Sequence, residues 1–277
     1  MQFKRDDSQN SKKLHLDQYY TSDSLAQYCI DKTFEIIGKN NITEIIEPSA
    51  GAGAFSGKLD CVAYDIEPKS DGIIKQDYLS LDVEYKKGRL IIGNPPYGSR
   101  CNLAKSFCNK SFEIADYVAF ILPISQWNNT QSIYKFDLIY SENLGKQEYS
   151  GMGVHCCFNI YKRPDNGKYN KRTTYKDSDI IEIREIREIV KSQNPKRNRE
   201  LGDFEYDFAI CNLGAGIGTQ VKTNHMFYIK IKDRVNLKYW TDLILNAKWQ
   251  SIYPMTAVPA LYQWQVYKYV EDNKPSI

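Results

Sequence analysis

Asn94, Pro95, Pro96 and Tyr97 are the consecutive residues whose types and spacing are best suited to chemistry. They follow an apolar run at 90–92, so they form a turn at the carboxyl end of a predicted strand. Each proline fixes φ and removes a backbone donor, which makes the turn rigid. Such a turn can direct the Asn94 amide oxygen and the Pro95 carbonyl oxygen at one amino group. A rigid surface turn without a ligand is the plainer alternative.

Two convergent acceptors suit an amine that is conjugated to a planar ring. The lone pair of this amine is delocalised into the ring, so the nitrogen is a weak nucleophile. Acceptors that pull its two hydrogens out of the plane localise the lone pair toward an electrophile. The Tyr97 ring adds a face on which a planar base can stack, an interaction worth about 1–3 kcal/mol.

A glycine-rich turn after an earlier predicted strand is suited to hold the electrophile. The strand ends in Glu47, and a turn that contains Gly51 and Gly53 follows. Glycines let a ligand approach the backbone where a Cβ would clash. The next strand ends in Asp65, which suits a hydrogen bond to a ribose diol. No Lys-Ser/Thr pair of a phosphate loop follows, so a nucleoside-bearing cofactor without phosphates fits better than a dinucleotide; an ordinary tight turn is the alternative.

These clusters are expected to lie together, because ligands of open α/β sheets sit outside the carboxyl ends of the strands. Only five residues intervene between Phe55 and Cys61, which predicts an unusually short crossover helix at 52–59. The other predicted elements are helices over 23–37 (capped by Thr21 or Ser22), 103–115 and 261–270, strands over 117–123, 136–140, 154–161, 208–211 and 227–231, a β-turn over 214–219, and either a helix or a strand over 179–191.

The basic charge of the chain is concentrated in one segment. At 277 residues the chain has room for one large domain, or for one domain and a smaller one, and its net charge is only +3. Residues 162–200 hold twelve Lys/Arg against seven Asp/Glu. This local excess predicts contacts with nucleic-acid phosphates through Lys196, Arg197 and Arg199, and a solvated loop is the alternative.

Cysteine usage and the apolar pattern bear on the compartment. Seven cysteines and three histidines show no metal-ligand spacing, so no metal is predicted. The odd count of cysteines suggests reduced thiols and a cytoplasmic location. The chain begins without an apolar signal region and has no run of about eighteen apolar residues, so no membrane association is expected.

With these motifs, residues 16–163 resemble the S-adenosylmethionine-dependent amino-methyltransferases of DNA, in the adenine-N6 branch with cofactor motifs before catalytic ones (the gamma order). The resemblance implies a class I methyltransferase fold, an α/β architecture with a mostly parallel seven-stranded sheet and helices on both faces. Residues 1–15 are then a flexible tail. Residues 164–277 form a small C-terminal segment, a candidate for target recognition, that the resemblance does not cover.

The resemblance implies a role for each matching residue. Asn94, Pro95, Pro96 and Tyr97 match the catalytic tetrad, and Tyr97 and Phe158 match the two aromatic walls around a flipped base. The cofactor, S-adenosylmethionine, is implied to contact Tyr20 and Thr21 at its methionine end, Glu47 at its ammonium, Ser49, Gly51 and Gly53 in the cofactor loop, Asp65 at the ribose, Ile66, Asp77, Tyr78 and Phe107 around its adenine, and also Asn94.

The implied reaction is methyl transfer to adenine N6 of DNA, within or outside a restriction system, with the base rotated out of the stack. Rival readings are adenine in RNA, the glutamine of a protein, or a catalytically silent methyltransferase fold that serves as a binding subunit. Protein-glutamine enzymes usually carry a helical domain before the fold, and cytosine-N4 enzymes more often have Ser in place of Asn94. A silent fold is expected to have lost the tetrad or the glycine turn, and both are intact here.

Overall fold

A computed structural model describes residues 21–149, 152–187, 203–253 and 259–275. The chain divides into two compact units, Met1–Arg172 and Thr173–Ile277. The sequence-based division after residue 163 falls just past the last strand of the first unit. The loop that follows packs on the first unit, because the Tyr169 hydroxyl donates to the Phe112 carbonyl oxygen at 3.0 Å.

The first unit is built on a seven-stranded sheet with the order β3-β2-β1-β4-β5-β7-β6. Strands β1 to β5 pair in parallel, and β7 runs antiparallel between β5 and β6. The predicted class I methyltransferase fold, a mostly parallel seven-stranded sheet, is thereby confirmed. The elements are α1 (Asp23–Ile37), β1 (Glu44–Glu47), β2 (Val62–Asp65), β3 (Ile74–Lys75), β4 (Arg89–Gly93), α2 (Asn102–Ile114), β5 (Tyr117–Pro123), β6 (Asp137–Tyr149) and β7 (Met152–Lys162).

Helices α1 and α2 lie on opposite faces of this sheet. From α1, the Tyr28 hydroxyl donates to Glu142, which is paired with Phe158 across β6 and β7. From α2, Phe112 makes an edge contact with Tyr161, at 5.9 Å between ring centroids. Phe158 and Tyr161 are three positions apart on one strand, so their side chains point to opposite faces.

The middle strands form the core of the first unit. All five residues of β4 are buried, and so are the five central residues of β5. Strands buried on both faces read as continuous apolar runs, which is why the sequence identified them. Since β4 ends at Gly93, the core holds the start of the Asn94 turn in place.

Two sequence-based expectations about the first unit are corrected. Residues 52–58 form hydrogen-bonded turns and residue 59 a bend, where a short crossover helix was predicted over 52–59. Gly51 and Gly53 have φ of 54° and 86°, outside the helical range, which prevents a helix from starting there. The strand predicted over 136–140 runs from 137 to 149. The prediction was too short because an edge strand with polar residues lacks the apolar signature of β4 and β5.

The second unit is a three-stranded antiparallel sheet with helices. Strands β8 (Ile181–Arg187), β9 (Phe208–Cys211) and β10 (His225–Ile231) take the order β8-β10-β9. Helices α3 (Leu237–Leu245), α4 (Trp249–Ile252) and α5 (Gln263–Asp272) follow, with Trp240 and Trp249 buried in a separate core. The ambiguous segment 179–191 therefore contains a strand, and turns form the 214–219 loop as predicted.

Among the helices that the described residues form, none is long and apolar enough to cross a membrane.

Candidate active site

A cavity of about 490 Å³ opens at the carboxyl ends of β1, β2 and β4, where the sequence places its chemical groups. A volume of this size suits a small organic ligand or cofactor. Its lining includes the predicted residues Thr21, Glu47, Ser49, Gly51, Gly53, Asp65, Ile66, Asp77, Tyr78, Asn94, Pro96 and Phe107, together with Asp23, Phe55, Glu67, Leu79, Gly98 and Leu103.

The charge of this lining is one-sided. Five carboxylates line the cavity, and no lysine or arginine does so among the described residues. Two of these acids are paired with lysines, Asp23 with Lys58 at 3.7 Å and Glu67 with Lys69 at 2.8 Å. Carboxylates repel phosphate groups and attract cations, so the lining favours a ligand that carries positive charge and no phosphate.

Asp65 braces the glycine turn from the end of β2. One oxygen of its carboxylate accepts a hydrogen bond from the Gly51 amide, and the other accepts one from the Glu67 amide, each at 2.7 Å. The positive φ of Gly51 lets its amide point toward this carboxylate. The turn is therefore fixed before any ligand arrives.

Glu47, at the end of β1, is a buried carboxyl with a perturbed proton affinity. The side chain is 2% exposed, and the Ser56 amide donates to it at 2.8 Å. Burial raises the pKa of the Glu47 carboxyl to about 7, and the Ser56 hydrogen bonds oppose this only in part. A cation that binds beside Glu47 would stabilise its ionised form.

Asn94 presents an acceptor that no described residue satisfies. Its side-chain nitrogen donates to the Thr21 hydroxyl at 3.1 Å, and its backbone oxygen accepts from the Ser49 hydroxyl at 3.3 Å. The side-chain oxygen Oδ1 is buried and accepts no hydrogen bond from any residue that the structure describes. Such orphan acceptors are rare because burial without a partner costs about 1–3 kcal/mol. A donor on a ligand would satisfy it.

The end of the tetrad is fixed by the start of α2. The Tyr97 carbonyl oxygen accepts hydrogen bonds from the Leu103 and Ala104 amides at 3.2 and 3.3 Å. The Tyr97 ring is buried, and its hydroxyl lies 3.4 Å from the Cys156 sulfur on β7. The peptide groups of the tetrad are thus held at both ends.

Tyr78 and Phe107 form an aromatic wall of the cavity. Their rings stack with centroids 5.3 Å apart, and the Tyr78 hydroxyl is 2.8 Å from the Ser111 hydroxyl. Next to them, the Asp77 carboxylate accepts from the Leu79 amide at 2.9 Å, while Ile66 is 60% exposed. This wall suits the face of a planar ring with a polar edge near Asp77.

The structure does not bring every predicted site residue to the cavity. Pro95, Tyr97 and Phe158 do not line it, and Phe158 is fully buried in the core. The roles of Tyr97 and Phe158 as walls for a base therefore stay predictions. Tyr20, Lys196, Arg197 and Arg199 lie outside the described residues.

Several lining residues were not predicted from the sequence. Glu67 lies two positions after Asp65, and Asp23 lies two positions after Thr21 at the start of α1. Both could have been found because they are close in sequence to predicted site residues. Cys156, which contacts Tyr97 but does not line the cavity, had no such signal, because it lies 59 positions away in the chain. Leu103 was placed in a helix by its apolar character and Phe55 by the short crossover spacing, and neither had any sign that it faces a ligand.

No family model matches the sequence, and no curated protein matches it. Among solved structures, a candidate RNA methyltransferase from Pyrococcus horikoshii is 18% identical, covers 53% of this chain and 87% of its own, and has a TM-score of 0.42. The 23S rRNA methyltransferase ErmE is 13% identical, with coverage of 53% and 70% and a TM-score of 0.37. Magnesium protoporphyrin IX methyltransferase from Synechocystis PCC 6803, solved with bound SAM, is 11% identical, with coverage of 58% and 86% and a TM-score of 0.36. These scores are too low to transfer any property of those proteins to this chain.

Proposed function

We propose that this protein is an S-adenosylmethionine-dependent methyltransferase that modifies the N6 amine of adenine in DNA. The observation that carries the proposal is the buried Oδ1 of Asn94 at the wall of an acidic cavity, to which no described residue donates. An amine donor from a substrate would complete this hydrogen bond. The fold class and the resemblance of residues 16–163 support the same activity.

The cavity fits this cofactor by the chemistry of its lining. S-adenosylmethionine carries an adenosine, a sulfonium and an amino acid end, and it has no phosphate. The lining contains carboxylates without lysine or arginine among the described residues, which suits such a molecule. When bound, the cofactor supplies an electrophilic methyl group.

Each part of the lining has an expected role in binding. Glu47 would pair with the ammonium group, and Asp65 would accept hydrogen bonds from the ribose hydroxyls. The Tyr78 and Phe107 rings, with Ile66, would contact the adenine ring, and Asp77 would accept from its amine. The Gly51 turn would let the backbone come close to the ligand.

Asn94 and Pro95 would activate the substrate amine. Asn94 Oδ1 would accept one N–H, and the Pro95 carbonyl oxygen, to which no described residue donates, would accept the other. The amine lone pair is then localised toward the methyl group. Positioning the amine in line with that group supplies much of the rate, and no protein nucleophile is required.

The substrate class can be tested directly. The full chain is incubated with cofactor labelled in the methyl group, in parallel with duplex DNA, RNA and a protein mixture, and the modified unit is identified by mass spectrometry. N6-methyl-2′-deoxyadenosine in the DNA arm supports the proposal. Label in RNA adenine or in glutamine replaces DNA with that substrate, and no label in any arm contradicts the enzymatic activity.

The role of Asn94 is tested by Asn94→Ala. We expect single-turnover methyl transfer to fall by about a hundred- to a thousandfold, as removal of one critical hydrogen-bonding group costs in other enzymes. Affinity for S-adenosylhomocysteine should stay within about twofold, which also shows that the variant is folded. Asn109→Ala, an exposed position of α2, is the matched control. Turnover retained in Asn94→Ala would contradict the mechanism.

A further inference from the structure

The residues directly after the tetrad have an unusual backbone. Arg100 and Cys101 both have left-handed φ, at 53° and 63°. Residues with a side chain rarely adopt this conformation, and two in succession are rarer still. Such positions persist only when their surroundings hold them, and they cluster at ligand clamps and active sites.

The environment of Cys101 shows what holds this bend. Its side chain is only 7% exposed and packs in the core of the first unit. Arg100, by contrast, is exposed. The bend therefore buries one side chain and turns the next one out to solvent, between Gly98 and Leu103, which both line the cavity.

Arg100 also differs from other cations near the cavity in its partners. Lys58 and Lys69 are paired with Asp23 and Glu67. Neither Arg100 nor Lys105 has an acidic partner among the described residues, and the Lys105 ammonium lies 3.5 Å from the Arg100 carbonyl oxygen. The Lys105 ammonium thus lies against the backbone of Arg100, and neither side chain is neutralised by an acid that the structure describes.

We infer that Arg100 and Lys105 bind a backbone phosphate of the nucleic acid next to the nucleotide whose amine reaches Asn94. The inference rests on the proposed function, because it requires a nucleic-acid substrate. The cavity lining repels phosphate, so the backbone of a substrate must be held outside it. A guanidinium can bind a phosphate through two parallel hydrogen bonds, and Lys105 adds a second charge.

The backbone conformation offers an informative variant. Arg100→Gly removes the side chain and places glycine where φ is left-handed, so the fold should be retained or slightly stabilised. Arg100→Gln keeps the side-chain length without the charge. Lys110→Ala is the matched control. Lys110 lies on α2, as Lys105 does, but it is paired with Glu113 at 4.0 Å, so this variant removes an equal charge elsewhere.

The experiment measures binding of a fluorescent duplex oligonucleotide to the full chain by anisotropy, with S-adenosylhomocysteine present and across a salt series. We expect Arg100→Gly and Arg100→Gln each to reduce the slope of log affinity against log salt by about 0.9, the value for one phosphate contact on duplex DNA. The KM for the oligonucleotide should rise while kcat at saturation is kept. Lys110→Ala should match the wild type, and affinity for S-adenosylhomocysteine should be equal in all four proteins.

The two levels of failure are distinguishable. If the wild type binds and methylates the oligonucleotide but the Arg100 variants keep its slope and KM, the phosphate site is wrong and the proposed function stands. If the wild type methylates a protein and binds no nucleic acid, the proposed substrate is wrong and the phosphate site falls with it.

Discussion

Asp65 is engaged by the backbone before any ligand binds, since it accepts from the amides of Gly51 and Glu67. Asp65→Ala should therefore weaken binding of S-adenosylhomocysteine by about 1–3 kcal/mol, because it leaves the ribose hydroxyls unpaired and frees the glycine turn. Asp65→Asn keeps one acceptor oxygen and should lose less. Calorimetric titration compares these variants with Asp71→Ala, an exposed carboxylate nearby in the chain. An unchanged affinity in Asp65→Ala would remove Asp65 from the site.

Glu47 should make ligand binding depend on pH. Its pKa is raised to about 7, so the carboxyl loses its proton as the pH rises through that value. The ammonium of S-adenosylhomocysteine stays largely protonated up to pH ~7.5. Affinity for this ligand should therefore increase between pH ~5.5 and ~7.5 in the wild type and change little in Glu47→Gln. Parallel pH profiles of the two proteins would contradict the pairing.

The stability of the unliganded protein should decrease with increasing pH, whereas affinity for the ligand should increase. Because the folded pKa of Glu47 is raised from 4.5 to about 7, its contribution to stability is complete below pH 4.5 and is lost as the pH rises through 7. Glu47→Gln avoids this loss and should exceed the wild type at pH ~8 by up to roughly 3 kcal/mol, with no gain at pH ~4.5. Urea unfolding at the two pH values measures the difference.

At the scale of elements, the junction between the tetrad and α2 depends on Gly98. Gly98 has φ of 65°, and a Cβ placed there would lie 2.8 Å from the Leu103 Cβ. Gly72 has φ of 81°, but a Cβ there would meet nothing within 4 Å. Both changes to Ala carry the penalty of a positive φ, about 1 kcal/mol. Only Gly98→Ala should add a packing cost and reduce methyl transfer, as measured by urea unfolding and single-turnover assays. An equal loss of unfolding free energy in Gly98→Ala and Gly72→Ala would contradict the predicted clash.

The sequence predicted elements whose signals are local. Helix α1 has its predicted bounds, because Ser22 caps it with a hydrogen bond from the Leu25 amide and Gly38 ends it with φ of 81°. Strands β4 and β5 were also predicted from a local signal, because each is a continuous apolar run. The prediction of a short crossover helix was wrong because it depended on spacing alone. The glycines of that turn have positive φ, which no α-helix provides.

The sequence predicted which residues line much of the candidate site, but not the contacts between them. The cavity residues were found because strand ends carry polar groups in a recognisable order. The contact between Asn94 and Thr21 spans 73 positions, and nothing in either residue's neighbourhood announces it. That no described residue donates to Asn94 Oδ1 is likewise visible only when the surrounding residues are in place.

At the scale of the whole molecule, each unit has its own hydrophobic core, and every described residue that lines the cavity belongs to the first. We therefore expect scanning calorimetry to resolve two transitions, of which S-adenosylhomocysteine shifts one. A ligand at about 100 times its Kd adds roughly 2.7 kcal/mol to the unit that binds it.

Tryptophan fluorescence identifies the unit that does not respond. Three of the four tryptophans, Trp240, Trp249 and Trp264, belong to the second unit, so Trp127→Phe leaves a reporter of that unit alone. Its melting midpoint should stay constant when S-adenosylhomocysteine is added. A single transition that moves as a whole in both measurements would show that the units unfold together.

The one-sided charge of the cavity also bears on competition inside a cell. ATP and the dinucleotides share their adenosine with the proposed cofactor, and they are abundant. A site that recognised adenosine alone would be occupied by these molecules for much of the time. The carboxylates of Glu47, Asp65 and Asp77 would hold a ribose and an amine, yet they repel the phosphates that distinguish the competitors. The same residues that bind the cofactor would thus protect the enzyme from inhibition by the common nucleotides.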